Sequence, residues 1–295
     1  MVKILVTGAA GQVGSELLKM SPTGFDVLGY NSSELDITNS EQVKEIIAEQ
    51  SPALIINAAA YTAVDKAEND AERAYLVNEA GIQNLACAAL MLNIPVFHIS
   101  TDYVFDGMSC VPYKETDVVD PKSVYGASKL AGERVLANIG ISYIVLRTSW
   151  VFGAEGNNFV KTMLRLGKER ESLGVVADQY GCPTSAKSIA KLIWDLTIRY
   201  FRFGSLDWGV YNFNNRSPCS WYDFATEIFH QAKVLGLVDL GLIVKPINTS
   251  DYPTKAKRPM YSVLDTEKIR KYYGIDIPRW KDELHFVLDV IISIS

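Results

Sequence analysis

Tyr125 and Lys129, in the run Tyr125-Gly126-Ala127-Ser128-Lys129, stand four residues apart. On a helix that spacing puts both side chains on one face, one turn apart. An ammonium beside a phenol favours the phenolate and brings a weak acid with an ordinary pKa of about 10 towards working pH. Such a phenol can give a proton to a carbonyl oxygen or take one from an alcohol. On a solvated helix face the same pair would do neither, so the surrounding elements decide its meaning.

A nucleotide-binding turn opens the chain. Lys3 to Thr7 reads as a short buried strand, Gly8-Ala9-Ala10-Gly11-Gln12-Val13-Gly14 follows at once, and Ser15-Glu16-Leu17-Leu18 begins a helix. Glycine at Gly8 permits a tight bend, at Gly11 it lets backbone N–H groups approach a pyrophosphate, and at Gly14 it allows close helix packing. Strands are then predicted at Asp26–Tyr30, Ala53–Asn57, Val96–Ser100 and Ser142–Ser149, with helices between them. One helix begins at Asn39-Ser40-Glu41-Gln42 and turns Val43, Ile46 and Ile47 to one face before Pro52. The next carries Tyr75, Leu76, Leu85 and Leu90 inward, and a third spans Gly126 to Asn138 and stops at Gly140. This alternation predicts an α/β fold, a Rossmann-type doubly wound parallel sheet, with function at the carboxyl ends of its strands.

Beyond Trp150 the rhythm becomes α+β. Short strands at Leu173–Val176 and Val210–Phe213 mix with helices at Ser185–Tyr200, Trp221–Leu235 and Trp280–Ile292, and Ser220 with Asp223 suggests a capping box. The expected division is a dinucleotide-binding domain over 1–150, rejoined by a segment near 185–213, and a smaller substrate-binding lobe over 151–184 and 214–295.

The 295 residues can bury a large core, and a formal net charge of −5 argues against a nucleic-acid surface. No apolar run is long enough to span a bilayer, and Met1-Val2-Lys3-Ile4 enters a strand without a signal-peptide pattern, so a cytoplasmic protein is expected. Cys87, Cys110, Cys182 and Cys219 are far apart and read as reduced, mostly buried thiols. Only three histidines occur, and His98, in an apolar strand, reads as a satisfied core imidazole. Neither set indicates a catalytic metal.

With these residues in view, the chain resembles the extended short-chain dehydrogenase/reductase family, and within it the branch that acts on 4-keto sugar nucleotides. The resemblance rests on Gly8 to Gly14, Leu35-Asp36-Ile37-Thr38, Asn57 to Glu68, Ser100 to Gly107, Arg147 to Gly153, Asn157-Asn158-Phe159, Asp178 to Gly181 and Arg258-Pro259. It implies hydride transfer from NADPH or NADH to the C4 keto group of a dTDP-6-deoxy-hexulose, giving dTDP-L-rhamnose. Tyr125 would then protonate the C4 oxygen, and Lys129 would lower the Tyr125 pKa and hold the nicotinamide ribose. Thr101, at the end of the fourth strand, would be a second hydrogen-bond donor.

Gly8, Gly11, Gln12, Val13, Gly14, Asn31, Asp36, Ile37, Asn57, Ala58, Ala59, Ala60 and Asn78 would line the dinucleotide site. Val64, Asp65, Tyr103, Trp150, Asn158 and Arg258 would face the sugar nucleotide, with Lys161, Arg165 and Lys168 as further candidates for its pyrophosphate. After the second strand, Tyr30-Asn31-Ser32-Ser33 offers neither the acidic residue expected for NAD nor an arginine for the NADP phosphate. Dual use with a modest NADPH bias is therefore expected. Some members hold magnesium between subunits through glutamates. Glu16 matches one such position, but Lys187 stands where another is expected, which argues against that ion while leaving a homodimer open. A non-catalytic dinucleotide-binding subunit, like the β subunit of methionine adenosyltransferase, and a sugar-nucleotide epimerase remain alternatives.

Overall fold

The computed structural model describes residues 1–238 and 242–294; residues 239–241 and 295, within the lobe expected at 214–295, lie outside the described residues. Six parallel strands form one sheet: β1 (Val2–Thr7), β2 (Phe25–Tyr30), β3 (Leu54–Asn57), β4 (Val96–Thr101), β5 (Tyr143–Thr148) and β6 (Gly209–Asn212). Their spatial order is β6-β5-β4-β3-β1-β2, so the chain reverses direction across the sheet between β1 and β3, as in doubly wound Rossmann folds. Ile4, Leu5, Leu54, Ile55, Ile56 and Val145 are fully buried, as strands covered on both faces must be, whereas β2, at the sheet edge, is half-buried along its whole length.

Helices α1 (Gln12–Lys19), α2 (Ser40–Gln50), α3 (Gly81–Leu92), α4 (Val124–Asn138), α5 (Phe159–Glu169), α6 (Ala186–Phe203), α7 (Trp221–Val234) and α8 (Trp280–Ile294) are the longer ones. Leu17 of α1 and Ile189, Ile193 and Trp194 of α6 share one core with Ile4, Val6 and Ile56. Val43 and Ile47 of α2, Leu85 of α3 and Leu136 of α4 share another with Leu5 and Ile55. The Trp194 indole N–H donates to the Leu17 carbonyl at 3.0 Å, which locks α6 onto α1.

The helix before β4 differs from its periodicity. Tyr75, Leu76 and Leu90 are exposed and only Leu85 of the expected four is buried. A π-helical segment, Leu76–Ala80, lies between a short helix, Ala71–Tyr75, and α3. Its wider turn shifts the phase, so Ala74 and Asn78 face inward and α3 packs through Ile82, Leu85, Ala86 and Ala89.

A third core joins α5, α7 and α8 through Val160, Phe224, Ile228, Trp280 and Leu284. There the parallel strands Ser172–Val176 and Ile243–Ile247 pair, and Ser220 and Asp223 form a reciprocal capping box at α7. All four cysteines are free thiols; Cys182 and Cys219 are buried, Cys87 is half-buried and Cys110 is exposed. No helix among the described residues is long and apolar enough to cross a membrane.

Candidate active site

The β1–α1 turn is shaped to receive a phosphate. Gly8 has φ +70°, and a Cβ there would lie 2.5 Å from the Ala59 nitrogen, so the turn rests directly on the Asn57-Ala58-Ala59-Ala60 run at the end of β3. Gly11 donates its N–H to the Gly8 carbonyl at 2.9 Å and is the N-cap of α1, where no side chain caps the helix. Among the described residues no side chain accepts from the first-turn N–H groups of Gln12, Val13 and Gly14, which lie at the positive end of the helix dipole.

At the end of β2 the Asn31 side-chain oxygen accepts from the N–H and hydroxyl of Ser33. The Glu34 carboxylate folds back to accept the Asn31 N–H at 2.9 Å. The run Tyr30-Asn31-Ser32-Ser33 holds no acid, but the turn brings one to this strand end from three residues beyond Asn31. Asp36 takes the N–H and hydroxyl of Thr38, and Ile37 is buried against Gly81.

Thr101 ends β4 and Tyr125 lies in the first turn of α4. That turn is held by two caps: the Ser123 hydroxyl accepts the Gly126 N–H at 3.1 Å, and the Glu68 carboxylate accepts the Val124 N–H at 2.9 Å. Gly126 allows the approach, because a Cβ there would lie 2.2 Å from the Tyr103 carbonyl oxygen. Burial pushes the Tyr125 phenol above its ordinary value, a hydrogen bond with Thr101 pulls it back, and Asp102 and Tyr103 push it up. Thr101 also donates to Asp102 at 3.0 Å, and burial raises the Asp102 carboxyl to about 6.

Lys129 is buried one turn below Tyr125. Burial brings its amine down to about 8, while Glu133 opposes the shift. The amine donates to the Ile99 carbonyl at 2.6 Å and lies 3.3 Å from His98 Nε2. The groups acting on Tyr125 are thus burial, Thr101, Asp102 and Tyr103, and the lysine amine is engaged by β4. Asn78 braces the same helix: its amide oxygen accepts the Tyr61 N–H, and its nitrogen donates to the Tyr61 carbonyl and the Ser128 hydroxyl. Both of its N–H donors are thereby used within the protein.

On the other side of the cleft, Asp65, in the short helix Val64–Ala67, pairs with Arg258, whose guanidinium also donates to the Tyr103 hydroxyl at 3.0 Å. The Tyr103 ring meets Tyr125 edge-on, with centroids 5.6 Å apart. Trp150 has φ +46°, a strained value for a tryptophan, and its indole stacks on Trp221 at 3.4 Å. Asn158 caps α5 by accepting the Lys161 N–H and donates to Gln12 Oε1 at 2.9 Å. Lys161 binds the Ala154 carbonyl and Arg165 pairs with Glu169 on an exposed face, which separates them from Arg258. Glu16 contacts Lys19, Lys187 lies over the Phe286 ring, and among the described residues no three His, Cys, Asp or Glu converge as a metal site.

A family model described as the RmlD substrate binding domain matches residues 2–292. The dTDP-4-dehydrorhamnose reductase of Aggregatibacter actinomycetemcomitans is 47% identical over 286 residues, covering 96% of this chain and 97% of that protein. The chain belongs to the dTDP-4-dehydrorhamnose reductase family. It is a family of oxidoreductases, and its solved members share this architecture. A Clostridium acetobutylicum dTDP-4-dehydrorhamnose reductase superposes with a TM-score of 0.92 at 39% identity, over 99% of this chain and all of that one. The Bacillus anthracis dTDP-4-dehydrorhamnose reductase in complex with NADP gives 0.91 at 37% identity, over 98% of this chain and 100% of that one.

Proposed function

We propose that this chain reduces the C4 keto group of dTDP-4-dehydrorhamnose to give dTDP-L-rhamnose, with NADPH or NADH as reductant. The observation that carries the reading is the placement of Tyr125, in the first turn of α4 and edge-on to Tyr103, beside the β4 end where Thr101 accepts the Tyr103 N–H, in a family with relatives named dTDP-4-dehydrorhamnose reductase. The glycine cradle against Ala58 and Ala59 and the uncapped start of α1 fit a dinucleotide pyrophosphate. The dinucleotide, when bound, supplies hydride to the sugar C4.

As that carbon is reduced, charge grows on its oxygen; Tyr125 is the donor aimed at it, and the Thr101 hydroxyl, which in the free protein gives its one hydrogen to Asp102, turns it to that oxygen when substrate is bound. Tyr125 gives its proton to the oxygen, and Thr101 stabilises the developing charge. Lys129 orients the nicotinamide ribose, and Asn78 is a positioning residue that keeps α4 against the Tyr61 loop. Residues 1–150 with the segment near 185–213 hold the dinucleotide, and 151–184 with 214–295 the sugar nucleotide. Arg258, Tyr103 and Asp65 line the route between them, with Val64, Trp150 and Asn158 beside the sugar.

The test is absorbance of NADPH with purified protein, dTDP-4-keto-6-deoxy-glucose and the 3,5-epimerase that converts it into the substrate. Oxidation that requires this chain and the epimerase supports the reading. Tight dinucleotide binding without turnover would replace it with a regulatory, non-catalytic role.

A further inference from the structure

A row of buried polar side chains runs beneath the site. Thr7, Asn57 and His98 are neighbours in register on β1, β3 and β4, and each is at most 1% exposed. The Thr7 hydroxyl donates to Asn57 Oδ1. The backbone of Ala59 orients the same amide: its N–H lies 3.3 Å from Oδ1 and its carbonyl oxygen 3.3 Å from Nδ2. A peptide N–H only donates and a carbonyl only accepts, so the Asn57 amide has one orientation.

Its Nδ2 then points a hydrogen at His98 Nδ1, 2.8 Å away, and Nδ1 must be the bare nitrogen. Burial and the neighbouring Lys129 hold His98 well below its ordinary pKa, so the imidazole is neutral and its one hydrogen sits on Nε2. Nε2 is 3.3 Å from Lys129 Nζ. An ammonium has no lone pair to meet that N–H; a neutral amine does, and still donates to Ile99. The other ionisable groups nearby are Tyr125 and Glu133 on α4, Asp102 after β4, and Arg147 on β5. Glu133 favours the ammonium, but its carboxylate is already held by Arg147 and the Ser100 hydroxyl.

We infer that His98 is a positioning residue that biases Lys129 towards the neutral amine in the free protein, so that dinucleotide binding takes up a proton at Lys129. The inference rests on the reductase reading for the identity of the ligand. The anionic pyrophosphate and the ribose hydroxyls of a dinucleotide favour the ammonium, and the proton comes from solvent. Thr7 directly precedes Gly8 of the turn, and Thr7, Asn57, His98 and Lys129 are joined one to the next by hydrogen bonds, which connects the dinucleotide turn to the lysine's charge.

The test is calorimetric titration of the whole chain with NADPH in two buffers of different ionisation enthalpy. For an amine near 8 that becomes a stable ammonium in the complex, uptake is about a tenth of a proton at pH 7 and about nine tenths at pH 9. In His98→Gln the amide oxygen can turn to the ammonium, and the rise in uptake moves upward by about one pH unit. A uniform loss of affinity in His98→Gln, with the rise still centred near 8, would overturn the inference. Should that variant fold poorly, nitrogen NMR of the native protein decides, since only three histidines must be told apart. The Nε2–H form of His98 at pH 9 is expected, and the Nδ1–H form would overturn it. If the native protein binds no dinucleotide, the functional reading and the proton linkage fall together, whereas the imidazole form is decided independently.

Discussion

Asn158 donates to Gln12 across 2.9 Å and 146 positions of sequence, joining the first residue of α1 to the cap of α5. One side chain therefore both starts a helix in the second lobe and touches the nucleotide turn. Asn158→Ala should lose about 1 kcal/mol of stability with the cap and also raise the KM for the dinucleotide. Asn158→Ser should recover the stability while the KM stays high. Thermal melts and initial rates on the three proteins separate the two effects; recovery of both by serine would show that the Gln12 contact does nothing for binding.

Tyr125→Phe removes the proposed acid while keeping the ring that packs on Tyr103. Turnover should fall roughly 100- to 10,000-fold with dinucleotide affinity nearly unchanged. Thr101→Val should lower turnover by about 100-fold or more, because one donor to the developing charge is lost. Native turnover in the phenylalanine variant would remove Tyr125 from the mechanism.

Asp102 titrates at about 6 in the folded protein, well above an ordinary aspartate, because it is buried. A raised carboxyl pKa means that the folded state holds the proton more tightly. Its stabilising effect is present below about pH 4 and lost as pH rises through 6. Asp102→Asn has no such loss, so its stability relative to the parent should improve by about 2 kcal/mol between pH 4 and pH 7. Urea denaturation at both pH values measures this, and a difference that does not change with pH would contradict it.

Glu34 sets a negative charge beside Asn31, where the adenosine ribose of a bound dinucleotide is expected. Glu34→Gln should raise the ratio of kcat/KM for NADPH to that for NADH several-fold, since a 2′-phosphate would no longer meet a carboxylate. An unchanged ratio would place the ribose elsewhere.

Arg147 and Glu133 form a buried pair, both side chains 5% exposed and joined at 2.7 Å. Glu133→Ala leaves a buried guanidinium without its partner and should destabilise the fold by about 3–5 kcal/mol. Replacing both by methionine should cost less than that single change. Chemical denaturation of the two variants tests the order.

The parallel sheet was legible because strands buried on both faces appear as continuous apolar runs, such as Ile4-Leu5-Val6 and Leu54-Ile55-Ile56. The glycine turn and the Tyr125–Lys129 spacing were legible because both are local patterns. The links from Gln12 to Asn158, Asn57 to His98 and Asp65 to Arg258 were not, since a one-dimensional pattern carries no signal for hydrogen bonds between distant segments. Tyr75, Leu76 and Leu90 mislead for another reason: one π turn resets the helical phase, and the 3.6-residue period assumes that no such turn occurs. Glu34 is not legible as a strand-end acid because it lies beyond Tyr30-Asn31-Ser32-Ser33 in sequence, and only the turn folds it back onto Asn31.

β6 reaches the sheet only after α6, and it covers the β5 edge by pairing Gly209–Asn212 with Ile144–Arg147. During synthesis, a nascent chain that has just left the ribosome with β5 still has an open strand edge, and its Phe97, Ile144 and Leu146 lack the α6 and β6 side chains that share their core. The dinucleotide half must therefore wait for roughly sixty further residues before it closes. A fragment cut at residue 150 should be recovered as aggregate, whereas one extended through residue 213 closes the sheet.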